Sequence, residues 1–499
     1  MMKKRDFIAA AAFLLLLGKP TLGWTQFSLT GQLRTRTELR DGYGTLETKG
    51  NTPAFLTTQR ARLNVSHRSS RVIFQATLQD VRIWGADAST ISSADGSRLS
   101  LHEAWGEIIL ANAHDSSLPK NAVEYFSIRL GRQELVYDDQ RLLGNLDWLQ
   151  QARRHDAVVF KLLHKGWQAD LGAAFNQHSD AIGYNGTYYT PSNVPPYVKD
   201  SKGHLAPTPA GMVPLADPAG LSSRTGTPLL ASAAGTNGMN QLYRSMQYLY
   251  LAKKFNNTRI AGLVFADEFG KYGPDSVRNI AGTDTGFIYG HRFNRSGVHS
   301  RLTAGALLTS QLDAQKQWSL QAGYYYQTGR NRDGISVGAY TTTLALSFAP
   351  RHWLFTAGWD YLKGGFDPLY GTPHKFWGSM DYFYAASGAP AAGLNNPFLK
   401  SRYTSGNGRF TAELAYHYFG LADDQPDIKG SPLPKYLGSE IDATLGYGLN
   451  KVTAIELGVS WMGATHSMEY AKGISPGTAR LQSAWAYLQV NIRPDFFSK

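Results

Sequence analysis

The chain has 499 residues, no cysteine, a formal net charge of +12 and 42% hydrophobic residues. A mean hydropathy of −0.30 excludes a helical membrane protein, and after Gly23 no run of about 18 apolar residues offers a transmembrane helix. Aromatics at 12%, with 27 Tyr and 11 Trp, beside 51 Gly, suit strands, turns and interfacial girdles.

The first element is "MMKKRDFIAAAAFLLLLGKPTLGWTQ". Lys3, Lys4 and Arg5 precede an apolar run, Phe7 to Leu17, too short to span a bilayer, and small residues follow at Thr21-Leu22-Gly23. This is the pattern of a secretory signal peptide over residues 1–23. Residues 24–499 are then expected to form one barrel domain. Removing four Lys/Arg and one Asp takes the charge from +12 to +9. An exported chain without disulfides needs a large hydrogen-bonded network, which a barrel supplies.

The next segment, "FSLTGQLRTRTEL", alternates. Phe27, Leu29, Gly31, Leu33, Thr35 and Thr37 share one face, and Ser28, Thr30, Gln32, Arg34, Arg36 and Glu38 share the other. "TQRARLNVSHR" sets Ala61, Leu63 and Val65 against Arg60, Arg62, Asn64 and Ser66. "RVIFQATLQ" puts Val72, Phe74, Ala76 and Leu78 on one side. Alternating segments of about ten residues joined by turns predict an all-β, antiparallel transmembrane barrel of the bacterial outer membrane.

The rhythm predicts strands near 27–39, 57–68, 71–82, 99–110, 124–133, 156–164, 167–176, 245–255, 258–268, 298–310, 317–328, 334–348, 352–362, 375–385, 406–418, 437–449, 451–463 and 482–493. That is about eighteen, an even number as a closed bacterial barrel needs. Residues 284–293 are an alternative strand, with 375–385 then a loop. "HRSSR", "HKG", "FNNT" and "LNK" are tight periplasmic turns. Residues 40–56, 83–98, 134–155, 177–244, 269–297, 363–374, 419–436 and 464–481 are long outer loops, and 386–405 is a periplasmic connection. A long loop, 177–244 or 134–155, is expected to constrict the pore. In the last strand Ala486, Leu488, Val490 and Ile492 share a face, with Trp485 and Tyr487 placed as an aromatic girdle.

Arginine at the bilayer midplane of a barrel's lipid face costs roughly 2–4 kcal/mol. Arg34, Arg36, Arg60 and Arg62 therefore face the lumen, where a water-filled setting is the least costly for them. Arg129 and Lys161 are further pore-lining, anion-binding candidates. Arg141, Arg153 and Arg154 fold toward the pore mouth, with Asp138, Asp139 and Asp156 available to pair with them. Confined arginines favour anions, and guanidinium forks match carboxylates.

The run "GRQELVYDDQRLLGNLDWLQQARRHDAVVFKL", residues 131–162, resembles the signature of the alginate-export outer-membrane proteins. So do "YYYQTG" (324–329), "GWDYLKGGFDPLYGTPHKFWGSMDYF" (358–383) and "LGSEIDATLGYGLN" (437–450). The resemblance implies an eighteen-stranded barrel with a positively charged channel, narrowed by loops, for an acidic polysaccharide. The chain departs from the family in ending "FFSK" and in the length of 177–244.

No HExxH, CxxC, P-loop or Gly-x-Gly-x-x-Gly is present. "HEAWGE" (102–107) lacks the spacing of a helical zinc site, and His102 and Glu103 face opposite sides of a strand. Asp423, Asp424 and Asp427 are candidate calcium ligands in an outer loop, though "DDQPD" lacks calcium-loop spacing. No other cofactor and no metal centre is expected. The basic charge lies on alternating strand positions without stacking aromatics, which argues against nucleic acid. The expected partners are outer-membrane lipid and lipopolysaccharide, an anionic polysaccharide or other anionic solute, and periplasmic export machinery. Three functions compete: an exporter of acidic polysaccharide, a general anion- or oligosaccharide-permeable porin, and an outer-membrane enzyme. The last lacks a convergent acid–base or nucleophile set.

Overall fold

A computed structural model describes residues 26–85, 99–113, 123–176, 194–229, 243–281, 284–384, 392–427 and 429–498. The expected signal peptide lies outside the described residues. Among the described residues no helix is long and apolar enough to cross a membrane.

Eighteen strands form the wall. They are β1 Gln26–Asp41, β2 Ala54–Arg68, β3 Val72–Ile83, β4 Ser100–Asn112, β5 Tyr125–Gln133, β6 His155–His164, β7 Trp167–Phe175, β8 Ser245–Phe255 and β9 Thr258–Ala281. The second half comprises β10 Asp284–Gln311, β11 Trp318–Arg330, β12 Ser336–Phe348, β13 Trp353–Lys363, β14 Leu394–Thr404, β15 Phe410–Gly420, β16 Tyr436–Gly448, β17 Thr453–Ala464 and β18 Gln482–Ile492. Each pairs antiparallel with its sequence neighbour. β1 closes the sheet by pairing with β2 (Leu33 opposite Ala61) and with β18 (Thr37 opposite Leu488). Closure leaves no edge whose N–H and C=O groups would be orphaned in lipid.

The two faces separate as the alternation requires. Leu33, Leu63, Phe74, Leu249, Leu399, Leu414 and Leu488 are exposed outward, while Arg34, Arg36, Glu38, Arg60, Glu107, Asp267, Asp360 and Glu440 are buried inward. Short turns gather at one end, the periplasmic end in outer-membrane barrels, and long loops at the other.

Several expectations are corrected. Within the expected strand 375–385, the described residues 375–384 are not a strand. Trp377, Met380, Tyr382 and Phe383 are all buried on no period-2 pattern, and positive φ at Gly378, Asp381 and Tyr384 breaks any extended run. The strand expected there is instead β14, inside the stretch read as a periplasmic connection. Its Pro397 lacks an N–H, and pairing with β15 skips from Asn395 to Phe398, which disguised it as loop. Residues 269–281 and 284–297 are strand rather than loop, so the alternative reading of 284–293 as strand holds, with those residues forming the first part of β10. β9 and β10 run on past a register shift at Gly270/Lys271 as one long hairpin.

Candidate functional site in the barrel lumen

Arg34 on β1 and Arg60 on β2 are direct cross-strand partners, and Gln32 stands opposite Arg62. Like charges facing each other repel, so this wall needs a counter-ion. Asp147, from the loop joining β5 to β6, supplies it. Its carboxylate lies 2.8 Å from Arg60 Nη1, 3.2 Å from Arg34 Nη1 and 3.5 Å from Arg62 Nη1. Burial works to raise the Asp147 carboxyl, but the Arg60 and Arg34 guanidiniums outweigh it and hold it below the ordinary carboxylate value. Arg34 Nε donates to Gln150 Oε1 (2.9 Å), and Gln150 Nε2 to Thr58 (2.9 Å). Arg36 donates to Glu38 (2.6 Å) and to the Trp148 carbonyl (2.9 Å), and its guanidinium lies 4.0 Å over the Trp148 ring. Arg62 reaches Gln79 (2.7 Å) and His102 Nε2 (3.1 Å).

Arg34, Arg36 and Arg60 thus face inward, but they are buried beneath a loop rather than hydrated in open lumen. The low-dielectric setting makes a shared carboxylate more valuable than water would be.

The loop 134–154 crosses the lumen. Positive φ at Asp138, Gln140, Leu146 and Ala152 folds it into successive turns. At one end Glu134 meets His102 of β4 at 2.8 Å. Tyr137 donates to Asp170 of β7 (2.9 Å). Asp138 pairs with Arg259 of β9 (2.5 Å), and Asp139 accepts from Gln321 of β11 (2.7 Å). Arg141 lies 3.0 Å from Asp360 of β13 and 3.3 Å from Asp139. Arg153 donates to the Gly371 carbonyl, and burial lowers its pKa to about 10. Asp156 pairs with Arg132 (2.8 Å), on neither Arg141 nor Arg153 as expected.

Residues 364–384, in a second loop, pack against the first. Leu143 bridges Tyr370, and Thr372 Oγ1 accepts from Leu146 N (3.0 Å). Met380 N donates to Glu440 of β16 (2.8 Å). Trp148 is the hub between the loops: it stacks on His374 (4.0 Å, 6° between planes) and meets Trp485 and Tyr487 edge-on. Trp485 and Tyr487 are buried inside the barrel, not in a membrane girdle. They are two residues apart, so both share the face opposite Ala486 and Leu488.

Among the other predicted residues, Arg129 pairs with Glu107 (2.6 Å) and stacks over Trp105 (4.0 Å). Lys161 is half-buried on β6. Arg154 sits just before β6, beside the buried His155. Of the described part of 177–244, Tyr243 packs edge-on to Tyr370 of the second lumen loop (5.1 Å), whereas residues 194–229 lie against the long hairpin. Met212–Pro214 pair with Gly290–Arg292 on the long hairpin, and Val198, Ala206 and Met212 pack on Ile288. The calcium candidates do not converge: Asp423 pairs with Lys363 (3.1 Å), Asp424 with Lys435 (3.0 Å), and Asp427 caps a turn at Lys429 and Ser431. No group of three His, Asp or Glu that could hold a metal occurs among the described residues. Sequence reasoning missed Asp147, Trp148, Asp360 and Glu440, although the first two stand inside the quoted 131–162 stretch.

An 18-stranded barrel with an apolar belt and loops folded into a charged lumen is an outer-membrane β-barrel protein. Residues 25–175 match the alginate export family, so the 131–162 signature falls within the matched part and the three other motifs outside it. Among solved structures, OccK3 (OpdO) of Pseudomonas aeruginosa is similar at a TM-score of 0.55 with 9% identity, over 94% of this chain and 96% of that one. OccAB4 of Acinetobacter baumannii matches at 0.54 with 11% identity, over 96% and 100%. OpdK of P. aeruginosa, solved with vanillate, matches at 0.52 with 10% identity, over 95% and 99%. No curated protein sequence matches the chain.

Proposed function

We propose that this protein is a passive outer-membrane channel with an electropositive lumen for an anionic, alginate-like polysaccharide, acting in export. The observation that carries this reading is the arginine wall. Arg34, Arg36, Arg60 and Arg62 project from two adjacent strands onto a single loop carboxylate and Glu38. A confined basic surface attracts anions and weakens cation entry. The match of residues 25–175 to the alginate export family supports the same reading. Periplasmic export machinery would deliver the polymer at the short-turn end, and lipid and lipopolysaccharide would surround the apolar belt. The role is non-enzymatic: the lumen's charged groups are engaged in ion pairs, wall to loop at Asp147 and Asp360 and wall to wall at Glu107 and Asp267.

A second reading, a general porin for small anions or oligosaccharides, is favoured by one observation. The barrel is shared with OpdK, solved with vanillate. The test is the reversal potential across a salt gradient in planar bilayers. Replacing Arg60 and Arg62 by Gln should shift selectivity toward cations and weaken block by acidic oligosaccharide. Because both arginines hold Asp147, conductance should also rise. Wild-type selectivity in the double variant would make these arginines scaffold and remove the main support for an anion conduit. Block by short acidic oligosaccharides and small carboxylates alike would favour the porin.

A further inference from the structure

We infer that the outer wall of β11–β15 holds a site for one anionic phospholipid of the periplasmic leaflet, phosphatidylglycerol. An acyl chain lies in a trough over Ala357 and Ser401, and Lys316 and Arg351 take the headgroup phosphate. The inference needs only the outer-membrane barrel and is independent of the solute.

The trough comes from two small residues among large ones. The outward faces of neighbouring strands pair in rows. In one row Trp318, Phe348, Phe355, Ser401 and Leu414 stand opposite one another in turn. In the next, Leu346 faces Ala357, Ala357 faces Leu399, and Leu399 faces Tyr416. Ser401 is thus flanked by Phe355 and Leu414, and Ala357 by Leu346 and Leu399, so the wall dips diagonally across β13 and β14. The dip is a cavity of about 580 Å³ whose lining holds no acid. Phe355, Leu399, Leu414 and Tyr416 are exposed, so nothing among the described residues covers it. A void in a lipid-facing wall forfeits dispersion contacts unless a chain fills it.

The trough has the depth of one leaflet. Trp318 opens β11 and Phe348 ends β12, beside the short turns. Trp318 stacks on Phe348 (4.5 Å), Trp353 stacks on Phe355 (5.6 Å), and Trp353 meets Tyr403 (5.1 Å). An aromatic belt of this kind marks the headgroup level. The trough climbs from there to Tyr416, roughly 20 Å along β15 from Phe410. A strand tilt of roughly 40° turns that into a depth of roughly 15 Å, half the hydrocarbon core.

Charge selects the headgroup. Ala349 N donates to the Gln317 carbonyl (2.8 Å), which ties the β12–β13 turn to the β10–β11 turn. Lys316 and Arg351 stand on those two turns. Both are exposed, and neither side chain has an ion pair or hydrogen bond among the described residues. Asp313, the acid of the first turn, accepts from the amides of Gln317 (3.1 Å) and Trp318 (2.7 Å) instead. Two unpaired cations at the mouth of an apolar trough complement a phosphodiester whose headgroup is otherwise uncharged. Phosphatidylethanolamine brings an ammonium of its own to the same place and gains less. A second copy of this chain would bring its own Lys316 and Arg351 to the same level, where like charges repel.

The test uses the full chain, reconstituted with an equimolar mixture of phosphatidylglycerol and phosphatidylethanolamine and released for native mass spectrometry. Wild type should retain one phosphatidylglycerol per monomer, at least about fivefold over phosphatidylethanolamine. Lys316→Gln with Arg351→Gln should abolish that preference. Lys165→Gln with Lys451→Gln removes the same charge from other short turns and should leave it intact. Ala357→Trp should fill the trough and cut retained phosphatidylglycerol at least about threefold. Heat-modifiable migration checks its folding, and the turn variants leave the wall untouched. Equal retention of both lipids by wild type overturns the inference. So does an equal loss of preference in both charge variants, which would mean diffuse attraction to a basic rim. A dimer that Ala357→Trp abolishes overturns it as well, with a second copy as the occupant.

Discussion

Arg141→Met tests whether charge holds the lumen loops in place. Arg141 is buried, 3.0 Å from Asp360, and its guanidinium lies 4.0 Å over the Phe376 ring. It thus ties the loop 134–154 to β13 and to the loop 364–393. Methionine keeps most of the apolar stem but removes the charge. Asp360 is fully buried, and neither of its oxygens accepts an aligned hydrogen bond from the described residues. The ion pair is its compensation. Removing one partner of a buried pair costs roughly 3–5 kcal/mol. At about 1.4 kcal/mol per factor of ten, that shifts the seated-to-released ratio roughly a hundredfold to a few thousandfold. Asp139→Asn breaks a more exposed pair (3.3 Å) and should cost about 1 kcal/mol. The assay is single-channel conductance, with hydrogen exchange over residues 134–154 as a second readout. Arg141→Met should raise both well above Asp139→Asn. Wild-type conductance and exchange in Arg141→Met would refute charge as the latch.

Two further outcomes follow from the loops. Lys472 donates to the Gly44 carbonyl (3.3 Å) and to that of Tyr382, and burial lowers its pKa to about 7. Between that value and the ordinary lysine range, the released chain holds a proton that the seated chain lacks. Seating should therefore strengthen as pH rises from 7 toward 10 and be weakest below 7. Conductance should fall over that window, and Lys472→Met should flatten the profile; a profile unchanged by the substitution would remove Lys472 as its source. Replacing residues 197–228 by a short Gly/Ser linker should leave conductance unchanged, since Met212–Pro214 pair with the long hairpin. A clear rise would show that the segment reaches the lumen.

The barrel was legible because period-2 alternation is a local property, and so was the inward facing of Arg34, Arg36, Arg60 and Arg62. Their partner was not. Asp147 lies 87 positions from Arg60 in sequence, and nothing local gives the register of a loop inside a lumen. The aromatic segment 375–385 reads as a strand because the plug, like a strand, needs large apolar side chains, yet it buries them on every side. Parity could have placed Trp485 and Tyr487 correctly, since they alternate with Ala486 and Leu488. Pro397 hid β14, because a proline preceded by two asparagines is ordinarily a turn signal.

The charges of the loop 134–154 meet partners on widely separated walls: Glu134 meets the His102 imidazole of β4, and opposite charges meet at Asp138 with Arg259 of β9, Arg141 with Asp360 of β13, and Asp147 with the arginines of β1 and β2. Buried pairs add little net stability over well-packed apolar replacements. The attraction between loop and wall comes instead from Leu135, Leu142, Leu143 and Trp148, which pack with Tyr370, Trp485 and Tyr487. Such apolar contacts have no direction, and a loop held by them alone can settle in several registers. The ion pairs select one. The variant Arg141→Met with Asp360→Leu separates the two contributions, because it removes both charges and leaves no orphan. As a hypothesis, its unfolding midpoint should stay near wild type, while its single-channel record should split into several conductance levels. A midpoint that falls as far as in Arg141→Met alone would mean that the pair supplies stability. A single level at wild-type conductance would mean that the apolar contacts already fix the register.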